Sequence, residues 1–277
     1  MQRIWAYPDG TVGATWMSAG QNLVPERGAG YNYFDGTTWG TPNLHVGPTD
    51  RKGWPSYAPW GPNGEIIALY QYVVGVGSIK FYTRENKRAG DWIETTLAPP
   101  AGVSLVWHSM MTSGENHEFI HLLAYTYDAV YQGQTNALLY YRSSDGAQTW
   151  DINGEVIDGL GEGDFPTIHS LTYAWANPVG ETIAFTLGFD EWGGWIFKST
   201  DNGENWDKIQ VMNTELDPFD LILLDGFDQF GQHLGSGRGA KQHNQFGRGH
   251  GFERGFCLSE AFPAGVPGLE PVDLAQG

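Results

Sequence analysis

Two histidines, His108 and His169, each stand one residue before a serine, Ser109 and Ser170, that opens the same phase of a recurring unit. Imidazoles brought together from neighbouring units can ligate a metal or exchange protons near neutral pH. The competing role is structural, each ring bonding a serine or a backbone carbonyl between packed sheets. Arg51, Trp54, Tyr57 and Trp107 lie in segments leading into the same strands. The rings of Trp54, Tyr57 and Trp107 can stack on sugar faces; in a chain that is 14% aromatic they can equally be packing groups.

A repeat carries these residues. Its clearest copy runs from Trp195 to Trp206 as an apolar strand, a polar turn with Ser199 and Asp201, and a closing tryptophan; a second runs from Leu139 to Trp150. In each turn a Ser and an Asp are placed to bond nearby backbone amides. Closing tryptophans recur at Trp39, Trp92, Trp150 and Trp206, spaced 53, 58 and 56 residues apart and each preceded by an aromatic strand. A second landmark keeps phase with them, a short strand from Ser56, Ser109 or Ser170, then a turn, a glutamate (Glu65, Glu118, Glu181) and an apolar strand. The unit is therefore four-stranded, and a repeat of this length is a propeller blade or a solenoid turn.

The spacing Ser199-x-Asp201-x-Gly203-x-x-Trp206 resembles the Asp-box, or BNR repeat, of the sialidase-like β-propellers. Ser143-x-Asp145, closing on Trp150, matches it with Ala147 at the glycine position. The resemblance implies an all-β chain, a β-propeller of four-stranded antiparallel blades, with about four to five blades here where the family has six. The blades are expected at about 1–39, 54–92, 106–150 and 167–206, within an incomplete propeller spanning 1–226. In that family the box lies in the outer turn between the third and fourth strands as a structural device, which leaves Asp145 and Asp201 without a catalytic role. No cofactor or metal is expected, Ca2+ at an acidic rim being the one candidate.

With 32 acidic against 15 basic residues the formal charge is −17, which argues against nucleic acid as a partner, since phosphate neutralisation needs clustered Lys and Arg. No apolar run approaches the ~18 residues of a membrane span. The single Cys257 excludes an internal disulfide. The first residues lack the apolar core of a signal peptide and read as a hairpin around Pro8-Asp9-Gly10, although the resemblance implies an extracellular or periplasmic setting. Residues 227–277 contain no Trp or Tyr and read as a Gly/Gln/Arg/His-rich disordered tail, expected to arise from a shifted frame or a degraded gene. Its histidines, His233, His243 and His250, are weak metal candidates.

Two functions from different classes follow. The first is a non-catalytic module binding a glycan or a protein through Arg51, Trp54, Tyr57, Trp107, His108 and His169. The second is a glycoside hydrolase of exo-sialidase type acting on terminal sialic acids. The resemblance asks of such an enzyme an arginine trio for the substrate carboxylate, a tyrosine nucleophile with its glutamate, and an acid–base residue. Gln2-Arg3-Ile4-Trp5 keeps only part of the family's opening Arg-Ile-Pro stretch, and Asp164 or Glu162 would be the acid–base partner. The bland reading of those two carboxylates is a solvated Gly-rich loop.

Overall fold

A strand covered on both faces reads as an unbroken apolar run. Gly64–Val73 is such a strand: Ile66 and Ala68 enter one core while Ile67 and Leu69 enter another. The computed structural model describes residues 2–19, 26–73, 75–189 and 193–213. The expected tail at 227–277, with its histidines, lies outside them. The described residues contain no helix and form four successive antiparallel meanders.

Sheet 1 holds β1 (Ile4–Ala6), β2 (Val12–Ser18) and β3 (Gly28–Phe34). Sheet 2 holds β4 (Lys52–Trp60), β5 (Gly64–Val73), β6 (Val76–Arg84) and β7 (Ile93–Leu97), in that order. Sheet 3 is β8 (Leu105–Ser113), β9 (Phe119–Thr126), β12 (Leu138–Ser143) and β13 (Ile152–Glu155), with a small hairpin, β10 (Val130–Tyr131) and β11 (Gln134–Thr135), inserted before β12. Sheet 4 is β14 (Tyr173–Trp175), β15 (Ile183–Phe189), β16 (Gly193–Ser199) and β17 (Asp207–Met212).

The first strands of successive sheets lie against one another, β1 on β4, β4 on β8 and β8 on β14. Bonds pin them: Tyr57 N–H donates to Gln2 O (2.8 Å), Thr112 Oγ1 to Pro59 O (2.8 Å), and Trp175 Nε1 to Ser109 O (3.0 Å). Each junction between sheets buries its own apolar core, around Tyr31 and Ile67 for sheets 1 and 2, Phe81 and Leu122 for 2 and 3, and Tyr140 and Phe185 for 3 and 4. Meanders radiating from inner strands that share an axis are the blades of a β-propeller.

The closing tryptophans fix the spacing between blades. Trp92 stands edge-on to Tyr31 (5.5 Å between centroids), Trp150 packs on Phe81 (5.2 Å) and Trp206 edge-on to Tyr140 (5.2 Å). In all three cases the partner lies on the third strand of the preceding sheet. Trp39 differs: it is half-exposed and pairs with Phe34 of its own sheet, at a single bridge. The fourth strand expected there is replaced by separate contacts, Tyr31 with Asn43 and Val46 N–H to Ala29 O.

Candidate functional site

The inner strands β4 and β8 carry the same irregularity. Pairing with β5 skips between Gly53 and Ser56, and pairing with β9 skips between Val106 and Ser109. At these bulges Trp54 (φ 56°) and Trp107 (φ 49°) both adopt the left-handed backbone. That conformation costs a non-glycine residue roughly 1–2 kcal/mol, so it persists only where its surroundings over-determine it. Bulges of this kind re-aim side chains. Here they bring the two indoles edge to face at 5.0 Å, with Tyr70 5.8 Å from Trp107 and its hydroxyl accepting from Trp54 Nε1 at 2.8 Å.

Beside this aromatic cluster is a cavity of about 310 Å³ lined by Arg27, Arg51, Tyr70, Tyr72, Val106, Trp107 and Tyr127. Arg27 is tethered through Nε to Lys52 O (3.3 Å), while Arg51 is exposed at the mouth. The described lining offers ring faces, phenol hydroxyls and two guanidinium forks, and contains no carboxylate, imidazole or thiol. Such a surface can hold a polar ligand with an apolar face. It does not itself supply a carboxylic acid–base pair.

The structure brings Arg51, Trp54 and Trp107 together and takes the remaining predicted residues elsewhere. Tyr57 is fully buried, bonded to Tyr7 Oη (2.8 Å) and to Glu65 Oε2 (2.5 Å), and burial raises its pKa well above the ordinary phenol value. His108 is fully buried with Nε2 3.0 Å from Ala68 O, and burial lowers its pKa to about 4. His169 is exposed, its carbonyl accepting from Thr172 Oγ1. The phase shared with His108 in the sequence does not hold in space. Leu171 (φ 65°), two residues before the paired Tyr173, takes the place that Trp107 has before Ser109. Asp164 is half-exposed and ion-paired with Lys208 of the outermost strand β17 (2.7 Å), and Glu162 is exposed over Gly133 of the inserted hairpin.

The two Ser-x-Asp turns lie between β12 and β13 and between β16 and β17, the third and fourth strands of their sheets. Ser199 Oγ donates to Asp201 Oδ1 (2.7 Å) and accepts from Gly203 N (2.8 Å), while Asp201 accepts from Asn205 N (3.0 Å). Ser143 and Asp145 repeat the pattern onto Ala147, Gln148 and Thr149. These bonds hold the Asp201 carboxyl at about 2, the Asn205 side chain contributing most. Among the described residues no cluster of three His, Cys, Asp or Glu could hold a metal ion.

Sequence reasoning missed Arg27, Tyr70, Tyr72 and Tyr127. A signal for the tyrosines was present: Tyr70-Gln-Tyr72 and Tyr125-Thr-Tyr127 occupy the same phase at the ends of β5 and β9. Arg27 reaches the cavity across a sheet boundary and gave none.

No family model matches the chain, and no curated protein does. Among solved structures the chain is similar to an ulvan lyase described as a new polysaccharide lyase family, PL25 (12% identity, TM-score 0.47, 75% of this chain and 54% of that one). It is also similar to the Aleuria aurantia lectin (13%, 0.45, 72% and 56%) and to the intramolecular trans-sialidase of Ruminococcus gnavus (11%, 0.49, 77% and 70%). The chain spans about half the length of the first two.

Proposed function

We propose that this chain is a non-catalytic glycan-binding module of the sialidase-like, Asp-box type, with its ligand held in the cavity between sheets 2 and 3. The observation that carries the reading is the pair of strained tryptophans, Trp54 and Trp107, clustered with Tyr70 beside Arg27 and Arg51. Aromatic rings pack on the C–H faces of a pyranose, and guanidinium forks donate to its hydroxyls or to an acidic substituent. The bonding of Ser143, Asp145, Ser199 and Asp201 supports their reading as structural Asp-box residues.

The second reading, hydrolysis of terminal sialic acids, takes its support from Arg27 and Arg51, which can grip a carboxylate together. The placement of Asp164 against Lys208 on an outer strand favours the first. A glycan array followed by titration separates them. Saturable binding without turnover of fluorogenic sialosides, weakened at least tenfold by Trp107→Ala and Arg51→Ala, is the expected result. Turnover that Asp164→Ala abolishes would replace this proposal with the enzyme.

A further inference from the structure

At the opposite end of the inner strands the turns of three sheets meet. The β1–β2 turn brings Tyr7 and Asp9, the β4–β5 turn Pro59 to Gly64, the β6–β7 turn Lys87, and the β8–β9 turn His117. They enclose a cavity of about 280 Å³. We propose that this cavity is a second ligand site, separate from the arginine-lined one, and that it takes a neutral saccharide unit.

The walls of this cavity are held in place before any ligand arrives. Tyr7 is fixed by its hydroxyl bond to Tyr57, which continues to the buried Glu65. Lys87 Nζ lies 3.9 Å from the centre of the Tyr7 ring and bonds Asp9 Oδ2 at 2.9 Å. His117 holds a left-handed backbone (φ 55°), with Trp5 edge-on at 5.6 Å and Thr112 Oγ1 3.3 Å from its Nδ1. A non-glycine residue in that conformation at a cavity wall is the kind of strain that accompanies binding sites.

The chemistry of the walls names the ligand class. Lys87 and Asp9 neutralise each other, and burial lowers the His117 pKa, so at neutral pH the cavity carries no net charge to select an ion. Pro59 and Pro62 line the cavity with apolar surface beside the Tyr7 ring, one face of which Lys87 covers, while Asp9, Asn63 and His117 add acceptors and donors. A few convergent polar groups over an apolar wall suit a compact ligand with hydroxyls on one edge and C–H groups on its face. A charged peptide or a phosphate would leave its charge uncompensated there.

The test uses the full chain, a panel of neutral methyl glycosides, and N-acetylneuraminic acid as the acidic comparison, followed by two-dimensional NMR. At least one neutral glycoside should saturate, shifting the indole signal of Trp5 and not those of Trp54 and Trp107. Excess acidic sugar should not displace it. Asn63→Ala, which removes an exposed side chain, and Asp9→Asn should each weaken binding about tenfold, the scale of one lost hydrogen bond to a polar or charged group. The site is overturned if no neutral glycoside saturates by about 50 mM, an affinity below that of the weakest useful site. It is overturned equally if both variants bind unchanged, or if the shifts fall on Trp54 and Trp107.

Discussion

Replacing Gly203 by alanine would test how the propeller's outer turns are locked. Gly203 has φ 87°, and a Cβ built on it would lie 1.9 Å from Tyr140 Oη and 2.8 Å from Tyr140 Cζ. That hydroxyl is no free end, because it is 2.8 Å from Nδ1 of the fully buried His121, whose Nε2 meets Ser113 Oγ at 2.7 Å. The left-handed conformation costs alanine about 1–2 kcal/mol, partly offset by ~0.4–1 kcal/mol from a stiffer unfolded chain. Crowding the packed Tyr140 adds about 1–3 kcal/mol, and loss of its bond to His121 a similar amount. Gly203→Ala should therefore destabilise the fold by roughly 2–7.5 kcal/mol.

The assay is urea unfolding followed by tryptophan fluorescence, run as a double-mutant cycle with Tyr140→Phe. Tyr140→Phe alone costs about 1–3 kcal/mol by stranding His121. In the double variant the hydroxyl's part of the clash is relieved while Cζ still crowds the new Cβ, so the two penalties should fall short of their sum by at least about 1 kcal/mol. A Gly203→Ala cost below ~0.5 kcal/mol, or strict additivity, would refute this account of the turn.

The other Ser-x-Asp turn makes the converse prediction: Ala147 already sits at φ 65°, and Phe81 stands where Tyr140 stands, without a hydroxyl. Phe81→Tyr should cost about 1–3 kcal/mol in urea unfolding, and Ala147→Gly should recover part of it. Glu65 is fully buried and accepts from Tyr31 (2.9 Å), Tyr57 (2.5 Å), Arg84 Nε (2.5 Å) and Arg88 N (3.0 Å). Glu65→Ala would leave the buried Arg84 charge uncompensated, so a loss of about 3–5 kcal/mol is expected, and a loss under ~1 kcal/mol would show the network to be dispensable. Burial lowers the pKa of His108 to about 4 and of His121 to about 3, against about 6.5 in an unfolded chain. Between pH 6.5 and 4 the unfolded chain binds protons that the fold refuses. Stability should be full above pH 6.5 and fall below it by up to about 1.4 kcal/mol per pH unit for each histidine. Urea midpoints that stay level from pH 7 to pH 5 would contradict neutral burial of both rings.

How much of this was legible in the chain depends on whether a contact is local. Trp92, Trp150 and Trp206 announce themselves because each follows a turn whose bonds run within a few residues, as from Ser199 to Gly203. Sequence distance reports such turns directly. Trp39 follows the short turn Asp35 to Thr38, where Asp35 Oδ1 caps the amides of Thr37 and Thr38, and the chain then fails to pair as a fourth strand. The pairing of His108 with His169 rested on their serines. The bulge at Trp107 and the left-handed Leu171 reset the register, and one skipped residue moves every following side chain to the other face. A bulge leaves no reliable mark in the sequence, which is why Arg51, Trp54 and Trp107 were found as neighbours of the inner strands while their mutual geometry was not.

The same shift of register explains why an aromatic cluster with arginines forms at the junction of sheets 2 and 3 and not at the next one along. Tyr125 at the end of β9 and Tyr127 just past it repeat Tyr70 and Tyr72 on β5, so one wall recurs. The facing position does not, for Leu171 stands where Trp107 stood and is half-exposed. Tyr173 of β14 instead turns its hydroxyl onto Trp107 O, drawing sheet 4 against the back of the bulge. That bond gives Trp107 a second role, since the carbonyl of the strained residue is held by sheet 4 while its indole meets sheet 2. The left-handed backbone is thus gripped from both sides, which is the condition for strain of ~1–2 kcal/mol to persist.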